Sequence, residues 1–339
     1  MKRILCLVLV AVMAIGAIAL VGCNKTEETL KFGLGVYATA KATDAVAATE
    51  DAAAKDGQGQ ATFTAAAVTV DKDGKIVACV LDTADNTVKY TADGKAVANK
   101  EFQTKYEQGK GYNMVAWGGA AKEWYEQADA FAALVKGKTL AEVKALVAEG
   151  NKGTQEVIDA GCTIMINEFV LAIEKACNNA KDSAVVASNT LKLGVYTKQT
   201  TKDATAATEE DEAVIGENKV ETNFFACAVD AEGKVVAATI DTIEVKFGFD
   251  DKGASSFDAT KAVKTKYEQG KGYNMVTPGG AKKEWFEQAD AFAGVCVGKT
   301  TAEIWVMCNG SNSGAEEVQA AGCTIDVYGF VKAAVKTGK

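Results

Sequence analysis

The sequence contains one twelve-residue segment twice. TKYEQGKGYNMV occupies residues 104–115 and recurs, letter for letter, at residues 265–276. On its C-terminal side the segments GGA, EW, EQADAFA, GKT and GCTI follow in the same order in both halves, always 161 residues apart. On its N-terminal side the separation is 159 residues, as for LGVY at 34–37 and 193–196. The repeat predicts that the chain folds as two copies of one domain.

The repeat also sets the expected domain boundaries. Each copy has about 150 residues, an ordinary size for a domain, and two copies make a tandem pair rather than a solenoid. We assign residues 30–180 to the first repeat and residues 191–339 to the second. Residues 181–190, with the sequence KDSAVVASNT, are predicted to be a linker because they are mostly small or polar.

The N-terminus has the layout of a targeting segment. Lys2 and Arg3 precede an apolar run over residues 4–20, which ends in LVGC at residues 20–23. This order is typical of a secretory signal peptide. A cysteine directly after glycine at its end is similar to the lipobox of bacterial lipoproteins, in which that cysteine is acylated.

The resemblance to a lipobox has consequences for location. It implies that residues 1–22 are removed as a lipoprotein signal peptide and that Cys23 carries the lipid. Residues 23–29 would then tether the protein to the outer face of a bacterial cell membrane. The alternatives are an ordinary signal peptide and an uncleaved membrane anchor.

The composition excludes several classes of protein. There is no histidine, so Ser-His and Cys-His nucleophile pairs and His-bound zinc are excluded. The net charge of −8 argues against nucleic acid as a partner, because phosphate binding needs clustered Lys and Arg. The cysteines lie mostly in apolar runs and form no CxxC, so we expect small buried hydrophobes rather than a disulfide framework or metal site.

Within each copy, strand patterns precede helix patterns. Residues 61–70 and 75–81 are β-rich around Asp73-Gly74, which predicts a hairpin, and Asp93-Gly94 gives a weaker hairpin signal. Helical spacing of apolar residues places Trp124 in the core. Helices are predicted at residues 121–136, 140–148 and 166–180. Because strands and helices are segregated, we predict an α+β domain with antiparallel strands.

The glycine-rich segment GKGYNMVxxGGA is a candidate ligand-binding loop. It suits neither a helix nor a strand, and loops with open backbone N–H groups often hold ligands. The alternative is a purely structural loop. The candidate residues are Tyr112, Asn113, Gly118 and Gly119 in the first copy and Tyr273, Asn274, Gly279 and Gly280 in the second.

The segment GCTI is the second candidate. It comprises Gly161, Cys162 and Thr163 in the first copy, before a predicted helix, and Gly322, Cys323 and Thr324 in the second. The threonine either holds a ligand or serves as a helix N-cap or strand residue. The residues by themselves leave these alternatives open.

Together, the hairpin VTVDKDGKIVACVLD at residues 68–82, the later GxT and the helix after it resemble the bacterial FMN-binding domain. That family occurs in exported electron-transfer proteins, often as tandem lipoproteins. Its signature is Asp-x-x-Ser/Thr-Gly-Ala-Thr, and a separate FMN transferase joins FMN to the last Thr through a phosphoester bond. On this chain Thr163 and Thr324 correspond to that Thr, and Cys162 and Cys323 to the Ala. Ala160 and Ala321 replace the Ser/Thr, and Val157 and Val318 replace the Asp.

The resemblance implies one FMN in each repeat. The phosphate or phosphoester would lie at Thr163 and Thr324, and Tyr112 and Tyr273 would stack on the ring or bond to it. Such a protein passes electrons between redox partners and turns over no substrate of its own. Two alternatives remain: a cofactor-free module that binds a small ligand or a peptide, and a structural surface protein that uses the repeat to extend from the membrane.

Overall fold

The computed structural model describes residues 27–99, 101–308 and 313–338. The predicted signal peptide and the predicted lipidation site, Cys23, lie outside the described residues. In the part of the chain that is described, every helix is too short or too polar to cross a membrane.

The first half forms a sheet and then a group of helices. Its antiparallel sheet has the strand order β4-β3-β2-β1-β5. The strands are β1 (Lys31–Thr43), β2 (Gly57–Val70), β3 (Ile76–Tyr90), β4 (Ala96–Val97) and β5 (Lys181–Asp182). The helices are α1 (Lys105–Gln108), α2 (Trp124–Leu134), α3 (Leu140–Lys144), α4 (Gln155–Asp159) and α5 (Asn167–Asn179).

The second half repeats this order of elements. Its antiparallel sheet has the order β6-β7-β8. The strands are β6 (Thr190–Lys202), β7 (Gly216–Val229) and β8 (Val235–Phe249). The helices are α6 (Lys266–Gln269), α7 (Trp285–Cys296), α8 (Thr301–Trp305), α9 (Glu316–Ala320) and α10 (Tyr328–Lys336). The predicted α+β class with antiparallel strands is confirmed.

Strand β2 is buried on both faces, which explains its run of small and apolar residues. Successive side chains of a strand point to opposite faces of the sheet. Phe63 and Ala65 pack against the second sheet, whereas Ala66 and Val68 pack against the helices of their own repeat. All four are fully buried. The protein therefore has four layers, with the two sheets in the middle and helices on both outer faces.

The two sheets share one core. Phe63 of β2 and Phe224 of β7 meet edge to face, with ring centroids 6.4 Å apart. Leu34 and Val36 of β1 and Ile243 and Val245 of β8 belong to the same buried cluster. Because this apolar surface belongs to both repeats, removing either one would expose it to water.

Matching contacts join the two repeats in pairs. The amide of Ala45 donates to the carbonyl of Gly253, and the amide of Ala204, 159 residues later than Ala45, donates to the carbonyl of Gly94. Both N–O distances are 2.8 Å. Equal contacts between exchanged positions indicate that the repeats are related by an approximate twofold axis, as in a symmetric dimer.

The structure differs from the sequence-based expectations in three places. The expected linker is partly a strand, since Lys181 and Asp182 pair with β1 and Val185 is buried. The helix expected over residues 140–148 ends at Lys144. Strand β1 was missed because its glycines are untypical of strands. They are needed because helix α5 crosses the strand closely: a Cβ at Gly33 would lie 2.1 Å from the carbonyl oxygen of Ala176.

Candidate functional site

A cavity of about 990 Å³ opens in the first repeat, between the sheet and the segments that follow it. Four aromatic rings from separate parts of the chain contribute to its wall: Tyr37, Tyr112, Trp124 and Phe169. Thr163 of the GCTI segment lies on the same cavity. Pockets of about 300–1,000 Å³ with an apolar wall and a few polar groups are typical of small-molecule sites.

The segment before Tyr112 is fixed by a capping box. The hydroxyl of Thr104 accepts from the amide of Glu107, and the Glu107 carboxylate accepts from the amide of Thr104. Residues 109–112 then form a 3₁₀ turn, which ends at Asn113 with a φ of 61°. The local sequence thereby fixes the turn that carries Tyr112, and the packing of this turn on the core places its ring on the cavity wall.

The other predicted residues of the glycine loop have a structural role. Asn113 takes up a left-handed conformation and donates to the carbonyl of Gly111. Gly118 stands where a Cβ would lie 2.7 Å from the carbonyl oxygen of Met114, and Gly119 has a φ of 67°. These three residues turn the loop back on itself and do not line the cavity. Their counterparts Asn274, Gly279 and Gly280 make the same turn.

Thr163 is exposed and is held by a buried glutamine. Its amide and its hydroxyl both donate to the side-chain oxygen of Gln127, at 2.8 and 3.0 Å. Thr324 is bound to Gln288 in the same way. Neither threonine caps the helix after it, since α5 begins at Asn167 and α10 at Tyr328. The interpretation of these residues as N-caps was therefore wrong.

Of the two residues before each threonine, the glycine shapes the turn and the cysteine is buried. Gly161 and Gly322 both have a φ of 97°, with the ammonium of Lys122 or Lys283 lying where a Cβ would be. Cys162 and Cys323 are fully buried in the core, and burial raises the pKa of each thiol to about 11. Their side chains do not line the cavity, contrary to the prediction that they bind a cofactor.

Polar groups missed by the sequence analysis also face the cavity. Lys105 lies 5.3 Å from the ring centroid of Tyr112 and 4.0 Å from the carboxylate of Asp85. Asp85 accepts hydrogen bonds from Gln60 and Thr62, both at 2.9 Å. The capping box that begins at Thr104 could have drawn attention to Lys105, which is the next residue in the chain. No local sequence pattern marks the strand residues Gln60, Thr62 and Asp85 as part of a site.

The second repeat fills the matching space with charged and aromatic side chains. Glu221 stands where the first repeat has Thr62, and its carboxylate lies 3.1 Å from Lys198 and 3.4 Å from Lys266. Tyr328 stands where the first repeat has Asn167, and its ring meets that of Tyr196 edge to face at 6.1 Å. The two repeats have therefore diverged at the cavity, although the segment TKYEQGKGYNMV is identical in both.

Comparison with known proteins does not assign this chain to a family. No protein-family model, no curated protein and no solved structure matches this chain.

Proposed function

We propose that this protein is an exported, lipid-anchored binding protein and that, of the two FMN sites that the resemblance of its sequence implies, the first repeat alone holds FMN. The observation that carries the proposal is the convergence of Tyr112, Trp124 and Thr163 on one cavity of about 990 Å³. These residues come from the glycine loop, from helix α2 and from the GCTI segment, and no local pattern would bring them together by itself.

The residues of the cavity fit FMN in size and character. The half-buried rings of Tyr37 and Tyr112 suit a flat aromatic system, for which offset or edge contacts are favourable, and the buried Trp124 backs the cavity from the core. Lys105 and Lys152 line the same cavity and provide positive charge for a phosphate. When bound, FMN would supply electron transfer to redox partners, and the chain itself would bind and orient the cofactor.

The arrangement favours FMN held without a covalent bond. Val157 stands at the acidic position of the attachment motif and is fully buried in the core. Ala160 stands at the hydroxyl position and ends helix α4. The acidic residue of the attachment motif is therefore missing at that place, although Thr163 itself is exposed.

We expect the second repeat to bind no flavin. Its Glu221 carboxylate and the ring of Tyr328 occupy positions that line the cavity in the first repeat. Opening that space would break ion pairs that are partly buried, which is costly. The second repeat would instead support the first through the shared core between the sheets.

The proposal is tested by expressing residues 24–339 as an exported protein, with and without a bacterial FMN transferase. We expect flavin absorbance in both preparations, flavin released on denaturation, and an unmodified intact mass. A mass increase equal to FMN less one water, as a phosphoester requires, would show covalent attachment, and loss of the increase in Thr163→Ala but not in Thr324→Ala would place it in the first repeat. A colourless protein that also fails to take up added FMN would overturn the proposal.

A further inference from the structure

A second cavity, which we call the junction cleft, lies where the two repeats meet. It measures about 880 Å³ and is distinct from the cavity of the first repeat. Asn99 and Phe102 of the first repeat form one side. Strand β6, helix α8 and helix α10 form the other side, with Tyr196, Trp305 and Lys332 among its lining residues.

Trp305 and Lys332 form an aromatic and cationic pair in the junction cleft. The Lys332 ammonium lies 4.8 Å from the ring centroid of Trp305 and 5.2 Å from that of Tyr328. The Trp305 side chain is 47% exposed, which leaves much of a large apolar ring in contact with water. An exposed ring beside a cation offers a stacking surface and a charge to the same small ligand.

Among the described lysines that line the cleft, Lys332 remains available to a ligand. Lys198 is paired with Glu221 and Asp326, and Lys336 lies 2.8 Å from Glu107. Among the described residues, by contrast, no carboxylate lies within 4.0 Å of the Lys332 ammonium.

The same surface of the first repeat is closed. The positions of Trp305 and Val335 are occupied there by Lys144 and Glu174, whose ion pair of 2.8 Å joins helices α3 and α5. The position of Lys332 is occupied by Leu171. The second repeat has therefore replaced an ion pair by an open aromatic surface and has placed a lysine beside it.

We propose that the junction cleft binds a small aromatic anion, with the ring against Trp305 and the acid group at Lys332. The chemical class is an aromatic carboxylate or sulfonate. This site is independent of FMN binding in the first repeat, because the residues of the two cavities are different.

Two fluorescent probes that differ by one acid group test the proposal. They are 8-anilinonaphthalene-1-sulfonate and N-phenyl-1-naphthylamine, which lacks the sulfonate. The titrations use residues 24–339 carrying Thr62→Glu and Asn167→Tyr, so that the first cavity is closed to the probe. We expect the sulfonate to bind about tenfold more tightly than the uncharged probe, because a charged hydrogen bond adds to the stacking.

Two substitutions separate the charge from the ring. Lys332→Gln should abolish the preference for the sulfonate, and Trp305→Ala should weaken both probes about tenfold. The double change Trp305→Lys with Val335→Glu imports the ion pair of the first repeat and should abolish binding in a protein that still unfolds cooperatively. The matched control is Lys144→Gln, on the corresponding surface of the first repeat, and should leave binding unchanged.

Equal affinity of the two probes for the protein would show that Lys332 does not bind the acid group. Unchanged binding in Lys332→Gln and in the Trp305→Lys, Val335→Glu variant would place the probe elsewhere and overturn the proposal, as would the absence of binding.

Discussion

Tyr90 and Phe249 occupy the same position in the two repeats, and their rings stack on each other with centroids 4.4 Å apart and planes 3° apart. Both side chains are fully buried. A residue that meets its own counterpart lies close to the axis that relates the two copies. The stack therefore marks the twofold axis of the molecule and belongs to neither repeat alone.

The stack should be measurable as a coupling between the two repeats. We expect Phe249→Ala to lower the free energy of unfolding by about 3–5 kcal/mol, because it removes a buried ring. A double-mutant cycle with Tyr90→Ala should give a coupling of about 0.5–1.5 kcal/mol in urea unfolding. In the control cycle, Phe249→Ala is combined with Phe131→Ala. Phe131 lies in a different buried cluster from Phe249, so the two losses of unfolding free energy should add. Additivity in both pairs would contradict the contact.

Two of the ion pairs that join the repeats, at corresponding positions, should differ in strength. Lys336 and Glu107 lie 2.8 Å apart with side chains 17% and 15% exposed, whereas Lys175 and Glu268, at 2.6 Å, are 32% and 29% exposed. Solvent screens the second pair more. We expect Lys336→Ala to cost about 1–3 kcal/mol of unfolding free energy and Lys175→Ala about 0.5–1 kcal/mol. Thermal unfolding of both variants measures the difference, and equal or reversed costs would contradict it.

Gly161 should resist substitution because of its backbone conformation. Its φ of 97° is rare for residues with a side chain, and Lys122 occupies the space of a Cβ. We expect Gly161→Ala to destabilise the protein by about 1–3 kcal/mol in urea unfolding. Gly111→Ala is the control, since nothing lies within 4 Å of its Cβ position, and should change stability by less than about 0.5 kcal/mol. Equal effects would show that the turn tolerates a side chain.

Two buried aspartates should make stability depend on pH. Burial raises the pKa of Asp82 and of Asp241 to about 7, although each accepts backbone and threonine hydrogen bonds that lower it. The unfolded chain loses these protons near the ordinary value of 3.8, whereas the folded protein keeps them to about 7. Their contribution to stability is therefore present below about pH 4 and is lost as the pH rises to about 7.

Replacing both aspartates isolates this contribution. Between pH 4.5 and pH 8 the unfolding free energy of the unmodified protein should fall more than that of the variant with Asp82→Asn and Asp241→Asn. Each asparagine keeps an oxygen that can accept from the amides of Thr83 and Tyr106, or of Thr242 and Tyr267. Parallel pH curves for the two proteins would contradict the raised pKa values.

Local features of the fold could be predicted from the sequence. The hairpin around Asp73-Gly74 and the core position of Trp124 follow from turn chemistry and from helical spacing, and both are present. The weak signal at Asp93-Gly94 is also a turn, between β3 and β4. Each of these features depends on residues that are close in the chain, which is why the pattern suffices.

The packing of one sheet on the other could not be predicted in this way. The run of apolar residues in β2 shows burial on both faces, but it does not say that the second face meets β7. The divergence of the cavity between the two repeats could not be predicted from the sequence either. Thr62 and Asn167 differ from Glu221 and Tyr328 in any alignment of the two repeats. That these positions face one space becomes apparent only when strand and helix are brought together.

A titration with FMN tests whether FMN binds in the cavity of the first repeat. Residues 24–339 are compared with a blocked variant carrying Thr62→Glu and Asn167→Tyr, and with a mirror variant carrying Glu221→Thr and Tyr328→Asn. We expect one FMN per chain in the unmodified protein, at least one in the mirror variant, and at least about tenfold weaker binding in the blocked variant, because its cavity is filled. Equal affinity in the blocked and unmodified proteins, or no binding by the unmodified protein, would contradict the claim.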